Sequence, residues 1–560
     1  MGASAACFAA GYSLYSRFVG KVLGTDPARP TPAHVKRDNI DFVPAHPAVL
    51  FGHHFASIAG AGPIVGPVLA AEFGWASVAL WIILGCVFIG AAHDMTALFL
   101  SVRHGGESIG SVIGSILGKP GKILFLLFSW SALVLVVAEF SRQTAVAFVA
   151  DPAIATASLL FMAEAVAFGV CVNRLKVSVL LASVVFVPLM FASVWFGGLF
   201  PLDLAKLFGL TPDAVRTTWT VLLLVYCFIA STCPVWILLQ PRDYLNSYLL
   251  YAMMALGFLG VFAAHPTLTT DAFTGFSAVG RSGSCDMLFP FLFVTVACGA
   301  CSGFHALVAS GTTAKQLDSE RSIRPVAYGG MLVEGVLAIM ALVGVAGAYA
   351  SQKDYAEAIR SMEPVQMFAA TIAGFCVKIG IPQRIAESFM LLSVSAFLMT
   401  TIDSGTRLAR FSWQELAGTC GCGGKSSGQE RPSGVRGVLH NMYFATFAVC
   451  ALAATLLLGA AQTSKQLWTI FASANQLLAA LTLLAATLWL SRNGKPRWMA
   501  SVPMVFMMAV SSWALGSIFL RSAACGDAVK TAATGFLLTL AACLVFFAVR
   551  QSRKGARTTD

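Results

Sequence analysis

Charge is what this chain has least of. Of 560 residues only 11% are charged, whereas 57% are hydrophobic and the mean hydropathy is +0.77. A soluble domain carries about 25% charged residues. No polar stretch is long enough for a separate soluble domain. The longest, roughly 407–437, is a Gly/Ser-rich connector (GTCGCGGKSSGQERPSG). The sequence also lacks H-E-x-x-H or similar ligand spacing. That leaves His53, His54, His93 and His305 as thin support for a membrane metallo- or haem protein. The start has no basic stretch, and Ala6 stands where a myristoylation signal needs Ser or Thr, so MGASAACFAAGYSLYSRF reads as a short first span. A disulfide framework is missing too. Of 14 cysteines most sit singly in apolar runs (Cys86, Cys171, Cys227, Cys298, Cys450, Cys543), where a thiol behaves as a small hydrophobe. Cys420 and Cys422 stand together as C-G-C in the connector, without the partners a four-ligand metal site needs. The net charge of +11 points to membrane orientation, not to a nucleic-acid partner.

What is abundant is apolar sequence in lengths of about 20 residues, the length of a membrane-crossing helix. Candidate spans are 2–19, 48–71, 75–100, 123–148, 153–172, 177–199, 218–239, 247–265, 287–310, 326–350, 385–405, 438–460, 468–490, 499–520 and 531–549. One shorter apolar piece, 365–381, is taken as re-entrant. With that choice about 26 Lys and Arg fall on one side of the membrane and about 10 on the other. The N-terminus is then outside and the tail with Arg550, Arg553, Lys554 and Arg557 is cytoplasmic. Five spans from 48–71 to 177–199 and five from 218–239 to 385–405 start in opposite directions, as an inverted repeat requires. The expectation is an all-α polytopic membrane protein of about 15 transmembrane helices with a five-plus-five core. Its parts are 1–47 (first span and cytoplasmic loop), 48–199 and 218–405 (the two repeats), 406–437 (cytoplasmic loop), 438–550 (a four-helix extension) and 551–560 (tail).

The run HHFASIAGAGPIVGP at 53–67 puts histidines, glycines and prolines where lipid tolerates only satisfied backbone. Broken helices of this kind build the midplane sites of secondary transporters. Gly60-Ala61-Gly62-Pro63 is the first expected break and Cys233-Pro234 the second. His53, Ser57 and Gly60 share a face, with His54 beside them. Pro63 suits the first turn of a new half-helix, whose free N–H groups and positive dipole end would receive a carboxylate. Gly60, Gly62 and Gly66 could equally serve close helix packing alone. His305 joins this set as a substrate-site candidate from the small-residue run CGACSGFHALVASGTT.

For ion coupling the candidates are His93 and Asp94, an imidazole and a costly intramembrane carboxylate, and Glu139, paired at i, i+3 with Arg142. Ser310, Thr312 and Thr313 are hydroxyls that could ligate Na⁺ or simply cap their own helix. Glu164 and Glu334 are lone mid-span carboxylates. Asp403 and Arg407, at i, i+4, are expected to pair and to gate the cytoplasmic side. Asn475 and Gln476 are mid-span amides suited to interhelical hydrogen bonds. Apart from a bound Na⁺, no cofactor is expected.

Five long stretches carry a resemblance. They are RPTPAHVKRDNIDFVPAHPAVLFGHHFASIAGAGPIVGPVLAAEFGW (29–75), PVWILLQPRDYLNSYLL (234–250), LFPFLFVTVACGACSGFHALVASGTTAKQL (288–317), TTIDSGTRLAR (400–410) and FASANQLLAALTLL (471–484). Together they resemble the carbon starvation protein A (CstA) family of bacterial inner-membrane transporters. The resemblance implies uptake of peptides or pyruvate during carbon starvation, coupled to H⁺ or Na⁺. It also implies kinship with the amino acid–polyamine–cation superfamily and its five-plus-five repeat. Departures are the shorter length, Cys298 and Cys301 in the small-residue helix, and the C-G-C loop. A nutrient sensor with a transporter body is the alternative, its partner binding at the connector.

Overall fold

The computed structural model describes residues 1–556 except 39–40, 235, 282–284, 421–434 and 459–462; Cys422 and most of the connector therefore lie outside the described residues. In lipid a backbone must satisfy its own N–H and C=O groups, so apolar stretches become helices. Eleven of the described helices are long and apolar enough to cross a membrane, or twelve if the bent pair Pro47–Ile58 and Gly62–Phe73 is one span. Among the described residues the only strands, Ser277–Val279 and Cys285–Met287, pair as an antiparallel hairpin with Ser277 opposite Met287.

Three of the fifteen expected spans fall outside that set for physical reasons. Residues 2–23 are helical, but Gly, Ser, Tyr, Arg17 and Lys21 dilute their hydropathy. Of the helix Met442–Leu458, 17 residues are described, up to the point where the described residues pause. The stretch 288–316 is interrupted into the short pieces Leu288–Thr295, Ala297–Ala300, Gly303–Val308, Ala309–Thr313 and Ala314–Gln316. The piece expected at 365–381 is the short apolar helix Pro364–Ile379.

Two helices run longer than their expected spans. Ile109–Ala150 has 42 residues and is kinked at Gly118, whose φ of 76° suits a residue without Cβ. Gln383–Cys420 has 38 residues and carries the chain through the first part of the expected 406–437 loop. Glu415 there meets Lys122 at 2.8 Å and accepts hydrogen bonds from Ser108 and Ser111. These two long helices lie along each other, and Ile109–Ala150 also packs against Leu467–Arg492, whose apolar window is 94% buried. Val179–Leu199, only 22% buried in its window, stands at the periphery.

The second break is not at Cys233-Pro234. Helix Pro212–Thr232 ends there, and a new helix, Leu239–Ala264, follows after a short turn. Arg407 donates to Ala230 O and Cys233 O, both at 2.8 Å, and Arg410 donates to Ser231 O at 2.7 Å. These guanidinium groups satisfy the carbonyls a helix end leaves open. The interruption that faces the first break is the one at 296–302.

Candidate functional site

The first broken helix bends by 47° across Ala59-Gly60-Ala61. Gly60 N turns back to Ile58 O at 2.8 Å, and Ile64 N and Val65 N both reach Ala61 O to start the second half. Pro63 lies in the first turn, where its missing N–H costs nothing. The interrupted stretch 288–316 packs directly on this half-helix. Gly62 sits against Cys298 with no room for a Cβ, and a Cβ on Gly66 would lie 2.6 Å from Thr295 O. The small residues are thus what lets the two breaks touch.

Side chains from neighbouring helices tolerate the second break. Gln476 donates to Phe293 O at 3.3 Å, Trp468 to Thr295 O at 3.3 Å, and Cys86 Sγ to Gly299 O at 3.0 Å. Asn475 Oδ1 accepts from Phe304 N at 2.8 Å, capping the piece Gly303–Val308. Its amide nitrogen donates to Ser302 Oγ at 3.0 Å. Orphaned backbone groups at membrane depth each cost several kcal/mol, roughly, so these bonds allow the chain to unwind here.

A small pocket of about 10 Å³, room for about one water molecule, lies between the breaks. Gly60, Gly62 and Pro63 line it from the first, and Cys298, Ser302 and Phe304 from the second. Ile58, Val136, Phe140, Thr401, Phe471 and Asn475 complete its wall. It contains polar groups but no charged side chain.

Beside the second break a chain of four buried ionisable groups crosses three helices. His93 Nδ1 lies 2.8 Å from Asp94 Oδ1, and His305 Nδ1 lies 2.7 Å from Asp94 Oδ2. His305 Nε2 is in turn 3.2 Å from Glu334 Oε2. None of the four is more than 1% exposed. As imidazolium, His305 faces a carboxylate on each ring nitrogen; as neutral imidazole it leaves one carboxylate to hold the proton. Neither Glu334 oxygen nor His93 Nε2 has a hydrogen-bond partner, so His305 and Glu334 meet as a charge contact without hydrogen-bond geometry. The helices bearing these residues each contain a π-helical turn, at Gly85–Gly90, Ala309–Thr313 and Arg324–Gly329. Such turns recur at functional sites.

The structure distributes the other candidates more widely. His54 Nδ1 meets Thr313 Oγ1 at 2.8 Å, and His53 Nδ1 lies 3.7 Å from Asp243. Ser57 donates to His53 O. None of these three lines the cavity between the breaks; Gly60, Gly62 and Pro63 do. Ser310 donates to Ala306 O and accepts from Ile109 N, and Thr312 donates to Val308 O, so these hydroxyls serve helix geometry. Asp403 does not pair with Arg407. It bonds instead to Arg242, and to Tyr226 at 2.6 Å, because a buried guanidinium from another helix reaches it first. Among the described residues no group of three or more His, Cys, Asp or Glu is placed to hold a metal. Residues the sequence did not mark for the site are Phe140, Thr401, Phe471, Ser302 and Phe304. All but Phe140 lie within stretches quoted above, but nothing in the sequence singles them out from their neighbours.

Glu139 and Arg142 form their i, i+3 pair at 2.8 Å in the wall of a larger open vestibule of about 500 Å³. There Arg281, from the hairpin, binds Glu363 through two contacts of 2.7 Å, and Arg142 approaches Glu363 at 3.8 Å. Burial pushes the Glu363 carboxyl up, but the Arg281 hydrogen bonds and the Arg142 charge outweigh it and hold the group below its ordinary range.

Comparison with known proteins bears on this arrangement. The family model described as carbon starvation protein CstA matches residues 1–357 and 347–514. The Campylobacter jejuni protein named peptide transporter CstA is 33% identical over 90% of this chain and 77% of its own. Escherichia coli pyruvate/proton symporter BtsT is 32% identical over 92% and 80%. Bacillus subtilis peptide transporter CstA is 32% identical over 98% and 95%. Among solved structures, a manganese transporter mutant of Eremococcus coleocola covers 90% of this chain and 95% of its own at 11% identity and TM-score 0.47. MhsT in complex with L-phenylalanine covers 84% and 99% at 13% and 0.47. Both likenesses are too distant to carry the fold. The sequence matches are not: this multi-pass membrane protein belongs to the carbon starvation protein CstA family, a family of transporters, not enzymes.

Proposed function

We propose that this chain is a secondary active transporter that takes up a small carboxylate solute, pyruvate or a short peptide, together with a proton. The observation that carries the proposal is the meeting of two interrupted helices around a small pocket, beside a buried chain of ionisable groups. The carboxylate meets the N-terminal turn beginning at Gly62-Pro63, where helix N–H groups and dipole favour an anion. Asn475 and Ser302 offer hydrogen bonds from the opposite wall. Asp94, His305 and Glu334 bind the coupling proton, and His93 extends the chain. Buried charges are expensive to keep, which favours a working role over a structural one. The name of the E. coli relative, a pyruvate/proton symporter, supports H⁺ over Na⁺.

The proposal includes bacterial inner-membrane placement with the N-terminus outside and the C-terminus cytoplasmic. It keeps two oppositely directed helical units that rock against each other. The break of the second unit now lies at 296–302, and of the expected extension 438–550 the helix Leu467–Arg492 is taken into the core, because Phe471 and Asn475 line the pocket. His53, His54, Asp403 and Arg407 act on the inner side of the breaks as gating groups. The test is uptake of labelled pyruvate and labelled dipeptides into proteoliposomes, with proton and sodium gradients imposed separately. Accumulation driven by an inward proton gradient is expected. Accumulation driven by sodium alone would overturn the proton assignment, and flux that never exceeds equilibration would overturn secondary active transport.

A further inference from the structure

The walls of the vestibule carry four cations and five carboxyl groups. Four ion pairs take up all but one of them. Arg142 meets Glu139 at 2.8 Å and Arg281 meets Glu363 at 2.7 Å. Arg521 meets Asp286 at 2.6 Å and Lys530 meets Asp527 at 2.9 Å. The carboxyl left over is Glu72, near the C-terminal end of the first broken helix, which has no ion pair among the described residues. Its side chain faces the hairpin. A Cβ on Gly280 would lie 3.1 Å from Glu72 Oε2 and 3.6 Å from Asp286 Oδ2. Two carboxyl groups therefore converge on this spot, and Arg521 pairs with only one of them, Asp286.

A second acceptor stands in the same walls. Gln143 is 5% exposed and lines the vestibule, and its Nε2 donates to Glu139 at 2.8 Å. Its Oε1 has no hydrogen-bond partner. A buried acceptor is costly to leave unpaired, so this group suits a solute that brings an N–H donor. Pyruvate carries a carboxylate and a carbonyl but no donor, and would add negative charge where carboxyl groups already outnumber cations. A protonated amine brings a positive charge and three N–H donors. We propose that the vestibule recognises the amino terminus of a short peptide, with Glu72 taking the ammonium and Gln143 Oε1 an N–H of the same solute. Its volume of about 500 Å³ is that of a small-molecule site. The proposal rests on the transport reading for its purpose, since Val65 and Thr295 carry the vestibule down to the two breaks. The binding itself is tested without transport.

Cys525 supplies a native reporter, because it is exposed and lines the vestibule. The purified full chain in detergent is treated with a small charged thiol reagent, alone or with alanyl-alanine, N-acetyl-alanyl-alanine or pyruvate. Modification is read at each cysteine by mass spectrometry. Alanyl-alanine slows modification of Cys525, the acetylated peptide and pyruvate leave it unchanged, and Cys7, exposed elsewhere, reacts as before throughout. In Glu72→Gln the alanyl-alanine concentration that halves the Cys525 rate rises about tenfold or more, the weight of a hydrogen bond to a charged group. In Gln143→Leu it rises less. Equal protection by the acetylated peptide or by pyruvate overturns the proposal, as does an unshifted midpoint in well-folded Glu72→Gln. If that variant does not fold, the two peptides compared on the native protein still decide. Absence of protection by alanyl-alanine also overturns the site, and accumulation of that peptide by the same protein in proteoliposomes would leave the transport reading standing. Protection without uptake does the reverse.

Discussion

Gly62 lies flush against Cys298, leaving no space for a side chain between the two interrupted helices. Gly62→Ala must push the breaks apart. Overpacking of this kind costs about 1–3 kcal/mol. The expected outcome is uptake reduced by tenfold or more with the protein still in the membrane. Cys298→Gly in the same chain restores part of it by removing the opposing Cβ. Equal loss in the single and double variants would separate this contact from function.

The proton chain predicts a split between coupling and binding. Glu334→Gln keeps the shape and removes the group that exchanges a proton with His305. Coupling between two ligands is typically worth about 1–3 kcal/mol, or about 5–150-fold in affinity. Substrate affinity measured at low and high pH should therefore lose its pH dependence in this variant, while exchange between internal and external substrate continues. Asp94→Asn, which strips the carboxylate shared by His93 and His305, should abolish both.

Asn475 holds the start of helix Gly303–Val308 through Phe304 N. Asn475→Ala leaves that N–H buried and unpaired, at a penalty of about 1–3 kcal/mol. A lower melting temperature in detergent is expected, with Asn475→Asp closer to native because its carboxylate still accepts the bond. A native melting point for the alanine variant would contradict the capping role.

At the vestibule, Glu363 is held below its ordinary range by Arg281. A lowered carboxyl contributes stability above the unfolded-state value and loses it as pH falls through the lowered one. The gap in melting temperature between native protein and Glu363→Gln should be constant above about pH 5. It should close as the pH falls below the ordinary Glu value of 4.5. A gap that widens in acid would contradict the assignment.

The first break was legible because its signal is local: Gly-Ala-Gly-Pro cannot continue a helix whatever surrounds it. The second was not, since Pro234 is a stronger local signal than the run around Cys301 and Ser302. That run contains no proline and is unwound by partners from other helices, Asn475, Trp468 and Cys86. The same limit explains Asp403 and Arg407. Spacing along one helix proposes a pair, but Arg242 lies closer in space. His53 and His54 looked like pocket residues because they adjoin the glycines in sequence, whereas the helix turns His54 toward Thr313. Glu334 could be singled out as a lone buried carboxylate. Its junction with His305 and Asp94 needed the packing of three helices.

The most direct test is substrate protection at Cys298. Purified, reconstituted protein is exposed to a small thiol reagent with and without a saturating transported solute, and modification is read at Cys298. If the solute sits between the two breaks, its presence slows that modification by tenfold or more while Cys7, exposed elsewhere, reacts as before. An unchanged rate at Cys298 under conditions where uptake is saturated would place the solute elsewhere and contradict the proposed site.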